Sequence, residues 1–189
     1  THGTNGFYLP MKPTTQAELQ NTVLYTGNGG TQSIKGFGFS PDLVWLKGRN
    51  YAEHHHLYDT IRGATKVLYS NRADVAEQTD TLGLTSFDSD GFSIGSRHEI
   101  NNSGSTFVAW GWDAGSGSAA SNTNGSITST VKANDATGFS IVSYTGNGSN
   151  GATVGHGLSS TPETVIVKDR SNANNWAVYH KDLTSTSHS

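Results

Sequence analysis

Three consecutive histidines, His54-His55-His56, are the densest run of metal-ligating side chains in this sequence. In an extended strand neighbouring side chains face opposite ways, so only His54 and His56 can share a face. Two imidazoles half-fill a tetrahedral site, and further ligands must come from elsewhere, such as rings stacked about the axis of a trimer. A polar surface strand explains the run as well, so no cofactor is called for, and His54 and His56 are the pair to test for a metal. Asp88-Ser89-Asp90-Gly91 places carboxylates at the first and third positions of a calcium loop, with Glu99 at the last. The middle of that loop fails, because Phe92 and Ser93 stand where an oxygen ligand and a glycine are needed. A tight Asp-Gly turn in a hairpin accounts for the same residues.

Hydrolysis has two candidate patterns. Asp59, Asp88, Asp90, Glu99 and Asp113 could supply a glycosidase pair, but their spacing sets no two of them at a defined separation. Gly91-Phe92-Ser93-Ile94-Gly95 spells a nucleophile elbow, yet an elbow joins a strand to a helix, and this pentapeptide reads as a strand with no helix after it. No catalytic residue is assigned, and a non-enzymatic role is expected. The four tryptophans, Trp45, Trp110, Trp112 and Trp176, have two open readings. Exposed, they could stack on sugar rings; buried, they are sandwich core. Trp110 and Trp112 share one face by the period of two. Arg62 follows Asp59 closely enough for a local ion pair. Lys47 and Arg49 recur as Lys168 and Arg170, each pair on one face, as on a solvated strand edge.

The elements that position these groups are short. Gly, Ser, Thr and Asn supply 84 of 189 residues, a composition that disfavours helices and suits strands joined by tight turns. Apolar or alternating runs predict strands at Thr22–Thr26, Asp42–Lys47, His56–Asp59, Lys66–Tyr69, Thr85–Phe87, Phe92–Gly95, Thr106–Trp112, Gly138–Tyr144, Thr164–Lys168 and Trp176–His180. Thr15–Asn21 and Arg72–Asp80 could each form a short helix. The fold expected is an all-β antiparallel sandwich, jelly-roll-like, in tandem modules.

An internal repeat supports the tandem arrangement. Val23-Leu24-Tyr25-Thr26-Gly27-Asn28-Gly29 returns as Val142-Ser143-Tyr144-Thr145-Gly146-Asn147-Gly148, and Gly36-Phe37-Gly38-Phe39 as Gly155-His156-Gly157-Leu158, both 119 positions on. After a two-residue insertion, Pro41 to Arg49 matches Pro162 to Arg170, and His55 to Tyr58 matches Trp176 to Tyr179, 121 positions on. The expected division is an upstream tail at 1–20, a first module at 21–115, a linker at 116–124 and a partial second module at 125–189. Roughly fifty residues of the repeat unit, including a counterpart to Phe107–Gly115, are absent from the second copy. The sequence is therefore expected to be a piece of a longer polypeptide, with the Gly138–His180 strands paired across a chain boundary.

Tyr25-Thr-Gly-Asn-Gly29, Ser40-Pro-Asp-Leu-Val-Trp-Leu-Lys47, Tyr58-Asp-Thr-Ile-Arg-Gly63, Leu84 to Gly95 and Phe107 to Gly115 carry a resemblance. They resemble a domain family of unassigned function that recurs in tail fibres and other virion proteins of cyanobacterial and marine bacteriophages. The likeness covers most of Val23–Gly115 and returns from Gly138 to about Leu183. Gly3-Thr-Asn-Gly-Phe-Tyr-Leu9 looks like the end of a laminin-G-like or concanavalin-like domain. The resemblance implies a fibre segment in the extracellular virion, a homo-oligomer (trimers being common) or neighbouring fibre chains as partners, and a host-surface glycan or protein as receptor. It supplies no catalytic residues.

The chemistry of the chain excludes other classes. Net charge is −3 with scattered basic residues, which gives nucleic acid no footprint. No apolar run reaches the ~18 residues of a spanning helix, so membrane insertion by a helix is not expected. Cysteine is absent, so neither disulfides nor thiolate metal sites can form. A free carbohydrate-binding module, a polysaccharide-degrading fibre enzyme and a subunit of a non-phage extracellular filament remain as alternatives.

Overall fold

Side-chain alternation along short strands organises the chain, whose computed structural model describes residues 20–183. The strands are β1 (Gln20–Thr26), β2 (Gln32–Lys35), β3 (Leu43–Gly48), β4 (His56–Asp59), β5 (Lys66–Tyr69), β6 (Gln78–Thr79), β7 (Leu84–Asp88) and β8 (Gly91–Ile94). A single-turn helix α1 (His98–Asn101) then precedes β9 (Thr106–Trp112), β10 (Ala120–Asn122), β11 (Ser129–Asn134), β12 (Phe139–Tyr144), β13 (Thr164–Val167) and β14 (Ala177–His180). The fold is an all-β sandwich, and every strand ladder in it is antiparallel.

Up to Gly115, a six-stranded sheet of order β1-β9-β3-β4-β5-β6 faces a three-stranded sheet of order β2-β8-β7. Val44 and Leu46 of β3, Tyr58 of β4 and Ala109 of β9 point inward and meet Ile34, Phe37, Leu84 and Phe92. Two glycines permit this packing. A Cβ on Gly91 would lie 1.9 Å from the Ile34 carbonyl oxygen, so the β2–β8 approach needs a residue without one. A Cβ on Gly111 would come within 2.5 Å of the Phe37 ring. Helix α1 closes one end: buried Asn101 donates to the Gly30 and Gly95 carbonyls and accepts from the Asn28 N–H and the Gln32 amide.

The second group of strands forms a three-stranded sheet, β10-β11-β12, and a hairpin, β13-β14. Strand β10 falls inside the stretch read as a linker and pairs with β11, so part of that stretch is sheet. The repeat reappears here in the hydrogen bonding. In β3–β4, Leu43 lies opposite Asp59 and Leu46 opposite His56; in β13–β14, Thr164 lies opposite His180 and Val167 opposite Ala177, the same register 121 positions on. The Thr60 N–H donates to the Asp42 carbonyl at 2.9 Å, and the Lys181 N–H to that of Glu163 at 2.8 Å. Lys47 Nζ reaches the carbonyls of Gly48 and Tyr51, as Lys168 Nζ reaches those of Asp169 and Asn172. The Gly30 N–H donates to the Asn28 side chain, as the Ser149 N–H does to Asn147.

The ten strands expected from the sequence coincide with β1, β3, β4, β5, β7, β8, β9, β12, β13 and β14, within a residue or two at each end. Arg72–Asp80, which could have formed a short helix, is not helical; that stretch holds bends, irregular backbone and β6. The laminin-G-like segment lies outside the described residues, as do the first five residues of Thr15–Asn21, the other stretch that could have been helical, whose last two begin β1. Lys47 is not on a solvated edge, because β3 is central between β9 and β4.

Candidate functional site

Inward-facing Val44 and Leu46 force Trp45 to the outer face of the six-stranded sheet, and inward Ala109 and Gly111 do the same for Trp110 and Trp112. Trp45 lies directly opposite Trp110, their ring centroids 5.7 Å apart and tilted by 59°. Leu24 of β1, 58% exposed, continues the apolar face beside Val108. The sandwich-core reading is therefore corrected: no tryptophan belongs to the core, because strand alternation turns three of them outward and Trp176 lies outside the first sandwich.

Two of the four are occupied by contacts between the strand groups. Trp112 stacks on Phe139, the first residue of β12, at 6.3 Å and 28°. The Trp176 indole N–H points at two backbone carbonyls, that of Tyr69 at the end of β5 at 3.1 Å and that of Arg72 just beyond it at 3.0 Å. Half-buried Trp45 and Trp110 remain as the candidate sugar-contacting pair. The Trp45 Nε1 is itself buried without a partner among the described residues.

Ion pairs reinforce this junction. Lys132 of β11 reaches Asp42, a buried carboxylate immediately before β3 that also accepts from the Thr60 hydroxyl and the Ala114 N–H. Glu77 sits between two guanidinium groups, taking Arg62 Nη1 at 3.2 Å and both Nε and Nη2 of Arg170 at 2.9 Å. Burial pushes the Glu77 carboxyl up, but the hydrogen bonds from Arg170 and Arg62 outweigh it and hold the group below its ordinary range. Arg170 also donates to the Ser143 hydroxyl, and Arg62 makes the expected pair with Asp59. Sequence reading did not find Lys132, Glu77 or Phe139, whose partners lie 90, 93 and 27 positions away.

The histidines split by burial. His56 is wholly buried on β4, its ring edge-on to Tyr69 at 4.8 Å and its Nδ1 3.4 Å from the Tyr58 hydroxyl. Burial, assisted by Arg97 and opposed by Asp80, lowers its pKa to about 4. His54 meets the other side of the histidine–tyrosine cluster, 5.6 Å from the Tyr69 ring, and its Nδ1 is 3.2 Å from the Asn71 amide. Among the described residues no three His, Asp or Glu side chains come together in a way that could hold a metal ion. The polar surface strand expected here is corrected for His56, which lies in the interior.

The acidic candidates are engaged locally. Asp90 accepts from the N–H groups of Gly36 and Gly38, and Asp88 from the hydroxyls of Ser86 and Ser93. The hairpin turn is Ser89-Asp90, one residue earlier than the Asp-Gly pair expected, with Asp88 opposite Gly91. Asp113 caps the Gly115 N–H, and Glu99 lies 3.8 Å from Arg97. Ser93 is mid-strand and hydrogen-bonded to Ser33, so the elbow pattern has no elbow geometry. Among the described residues no helix is long and apolar enough to cross a membrane.

No curated protein and no solved structure matches the chain. A family profile does match, over residues 15–189. The chain belongs to that family, described as a domain of unknown function, DUF7483.

Proposed function

We propose that this chain is a non-enzymatic structural and adhesive segment of a bacteriophage tail fibre or related virion fibre, built from tandem modules. The observation that carries the reading is the repeated β3–β4 register in β13–β14, with the second strand group fastened to the first by Lys132, Arg170 and Trp176. Modules docked through ion pairs and rings, rather than strung on a free linker, make a stiff rod segment. The candidate carboxylates Asp59, Asp88, Asp90 and Asp113, and Ser93, are each engaged by neighbours within the fold. Immunogold labelling of intact particles with an antibody against this chain tests the proposal. Label along a projecting fibre is expected, and label absent from the particle surface would overturn it.

A second reading concerns what such a fibre touches. The outward Trp45–Trp110 pair beside exposed Leu24 has the chemistry of a sugar-stacking face. A glycan array read with wild type and Trp110→Ala separates the cases: binding lost in the variant makes the face a receptor contact, and equal binding removes it from that role.

A further inference from the structure

We propose that Asn147 is a site of spontaneous covalent modification, losing its side-chain amide through a cyclic imide formed with the Gly148 backbone. The same dipeptide at Asn28-Gly29 is held intact by the fold. The inference is independent of the fibre assignment and rests on hydrogen bonding that differs between two copies of one loop.

The two loops begin alike. Each asparagine belongs to a Tyr-Thr-Gly-Asn-Gly segment that leaves a strand, β1 for Asn28 and β12 for Asn147. The following glycines take the same left-handed backbone, with φ of 71° at Gly29 and 72° at Gly148. In each loop the asparagine Oδ1 accepts the N–H two residues on, from Gly30 at 2.8 Å and from Ser149 at 3.0 Å. That bond folds the side chain back along the peptide that follows it. Both asparagines are exposed, so access of water does not separate them.

The surrounding bonds do. Asn28 Nδ2 donates to the Thr31 carbonyl at 3.1 Å, Asn28 Oδ1 takes a second bond from Asn101 Nδ2 at 3.1 Å, and the Asn28 N–H donates to Asn101 Oδ1 at 3.0 Å. The Gly29 nitrogen, which would have to attack, donates its N–H to the Asn101 carbonyl at 2.8 Å. A Cβ on Gly27 would lie 2.2 Å from the Asn102 carbonyl oxygen, so this loop is pressed against the end of α1 and cannot swivel. At the other copy, neither Asn147 Nδ2 nor the Gly148 N–H has a hydrogen-bond partner among the described residues. A Cβ on Gly146 or Gly148 would meet nothing within 4 Å, so that loop is open. Two neighbouring Asn-Gly pairs are restrained in other ways. Asn150-Gly151 forms the middle of a turn closed by the Ala152 N–H on the Ser149 carbonyl at 3.3 Å. The peptides after Asn124-Gly125 are fastened to Thr153 through the N–H groups of Ser126 and Ile127.

The chemistry needs only water as co-reactant. The Gly148 nitrogen gives up its proton and attacks Asn147 Cγ; the N–Cγ bond forms, the Cγ–Nδ2 bond breaks, and ammonia leaves. Glycine suits this step because no Cβ shields the attacking nitrogen. Water then opens the five-membered imide at either carbonyl. One opening yields aspartate, the other isoaspartate, in which the backbone runs through the former side chain. Either product adds one negative charge to the loop after β12.

The test incubates the full chain, folded and in urea, in mildly alkaline buffer and follows both sites by tryptic peptide mapping with fragment spectra. Trypsin separates them, placing Asn28 in the peptide that ends at Lys35 and Asn147 in the peptide from Ala133 to Lys168. In the folded chain Asn147 should convert at least about 10-fold faster than Asn28, whose bonds must open first. In urea the two rates should converge, and Asn147→Gln should remove the mass change from the Ala133–Lys168 peptide. An intact Asn147 in the folded chain, equal conversion of Asn28 and Asn147 there, or conversion of that peptide at Asn150 alone overturns the proposal. A contrast that persists in urea also overturns it, since the fold would then not be its cause.

Discussion

Lys132 Nζ lies 2.6 Å from Asp42 Oδ1, joining β11 to the residue that leads into β3 across 90 positions of sequence. Asp42 is 3% and Lys132 17% exposed, so the pair is largely removed from water. Deleting one charge strands the other in a site that cannot hydrate it. Lys132→Met is therefore expected to cost about 2–4 kcal/mol, because Asp42 keeps its bonds from Thr60 and Ala114 but loses its counter-ion. Adding Asp42→Asn should recover part of that loss. Urea unfolding of the two single variants and the double checks this, and strictly additive losses would show that the pair is not coupled.

Glu77 carries the other electrostatic link, and its sign with pH follows from its neighbours. A carboxyl held below its ordinary 4.5 contributes stability that is present above that pH and lost as pH falls through the folded value. Glu77→Gln should loosen the docking of Arg170 while Arg62 keeps Asp59. At neutral pH the variant should be less stable than wild type, and the difference should shrink as pH drops below about 4.5. Thermal unfolding at several pH values measures both; a constant difference would remove Glu77 from the link.

How much of this was legible beforehand differs by element. Val44, Leu46, Ala109 and Gly111 alternate with tryptophans, so β3 and β9 were readable, and their pairing with β1 and β4 builds four strands of the six-stranded sheet. Strand β11, Ser129–Asn134, has Val131 as its one large apolar residue and gives no periodic signal, yet it supplies Lys132. The face chosen by the tryptophans was hidden for a different reason. Period two states that Trp110 and Trp112 share a face but not which face is inside. That is decided by Phe37, which closes over Gly111 and leaves the indoles outside. His56 was misplaced likewise, since a run of three histidines says nothing of burial until Tyr69 and Tyr58 enclose one of them.

Trp176 separates the contribution of a ring from that of a donor. Its N–H serves the carbonyls of Tyr69 and Arg72. Trp176→Phe keeps most of the apolar contact and leaves those carbonyls without the donor, an expected loss of about 1 kcal/mol. Trp176→Ala removes the ring as well and should cost about 3 kcal/mol. Chemical denaturation followed by far-UV circular dichroism compares them. Equal stability of all three forms would mean that Trp176 does not anchor the second strand group.

His56 predicts the acid limit of the first sandwich. Its neighbours are Tyr58 and Tyr69, with Asp80 favouring protonation and Arg97, His54 and His55 opposing it, but burial dominates and holds the pKa at about 4 against an ordinary 6.5. Between those two values the unfolded chain binds a proton that the folded chain refuses. The contribution of this residue is thus complete above pH 6.5 and is lost as pH falls toward about 4, with a limiting slope of about 1.4 kcal/mol per pH unit. NMR titration of the His56 ring should show it neutral down to nearly pH 4, while His56→Phe should flatten the stability profile between pH 4 and 6.5. A ring that titrates near 6.5 would show that water reaches it, and the buried position on β4 would then not control the response to acid.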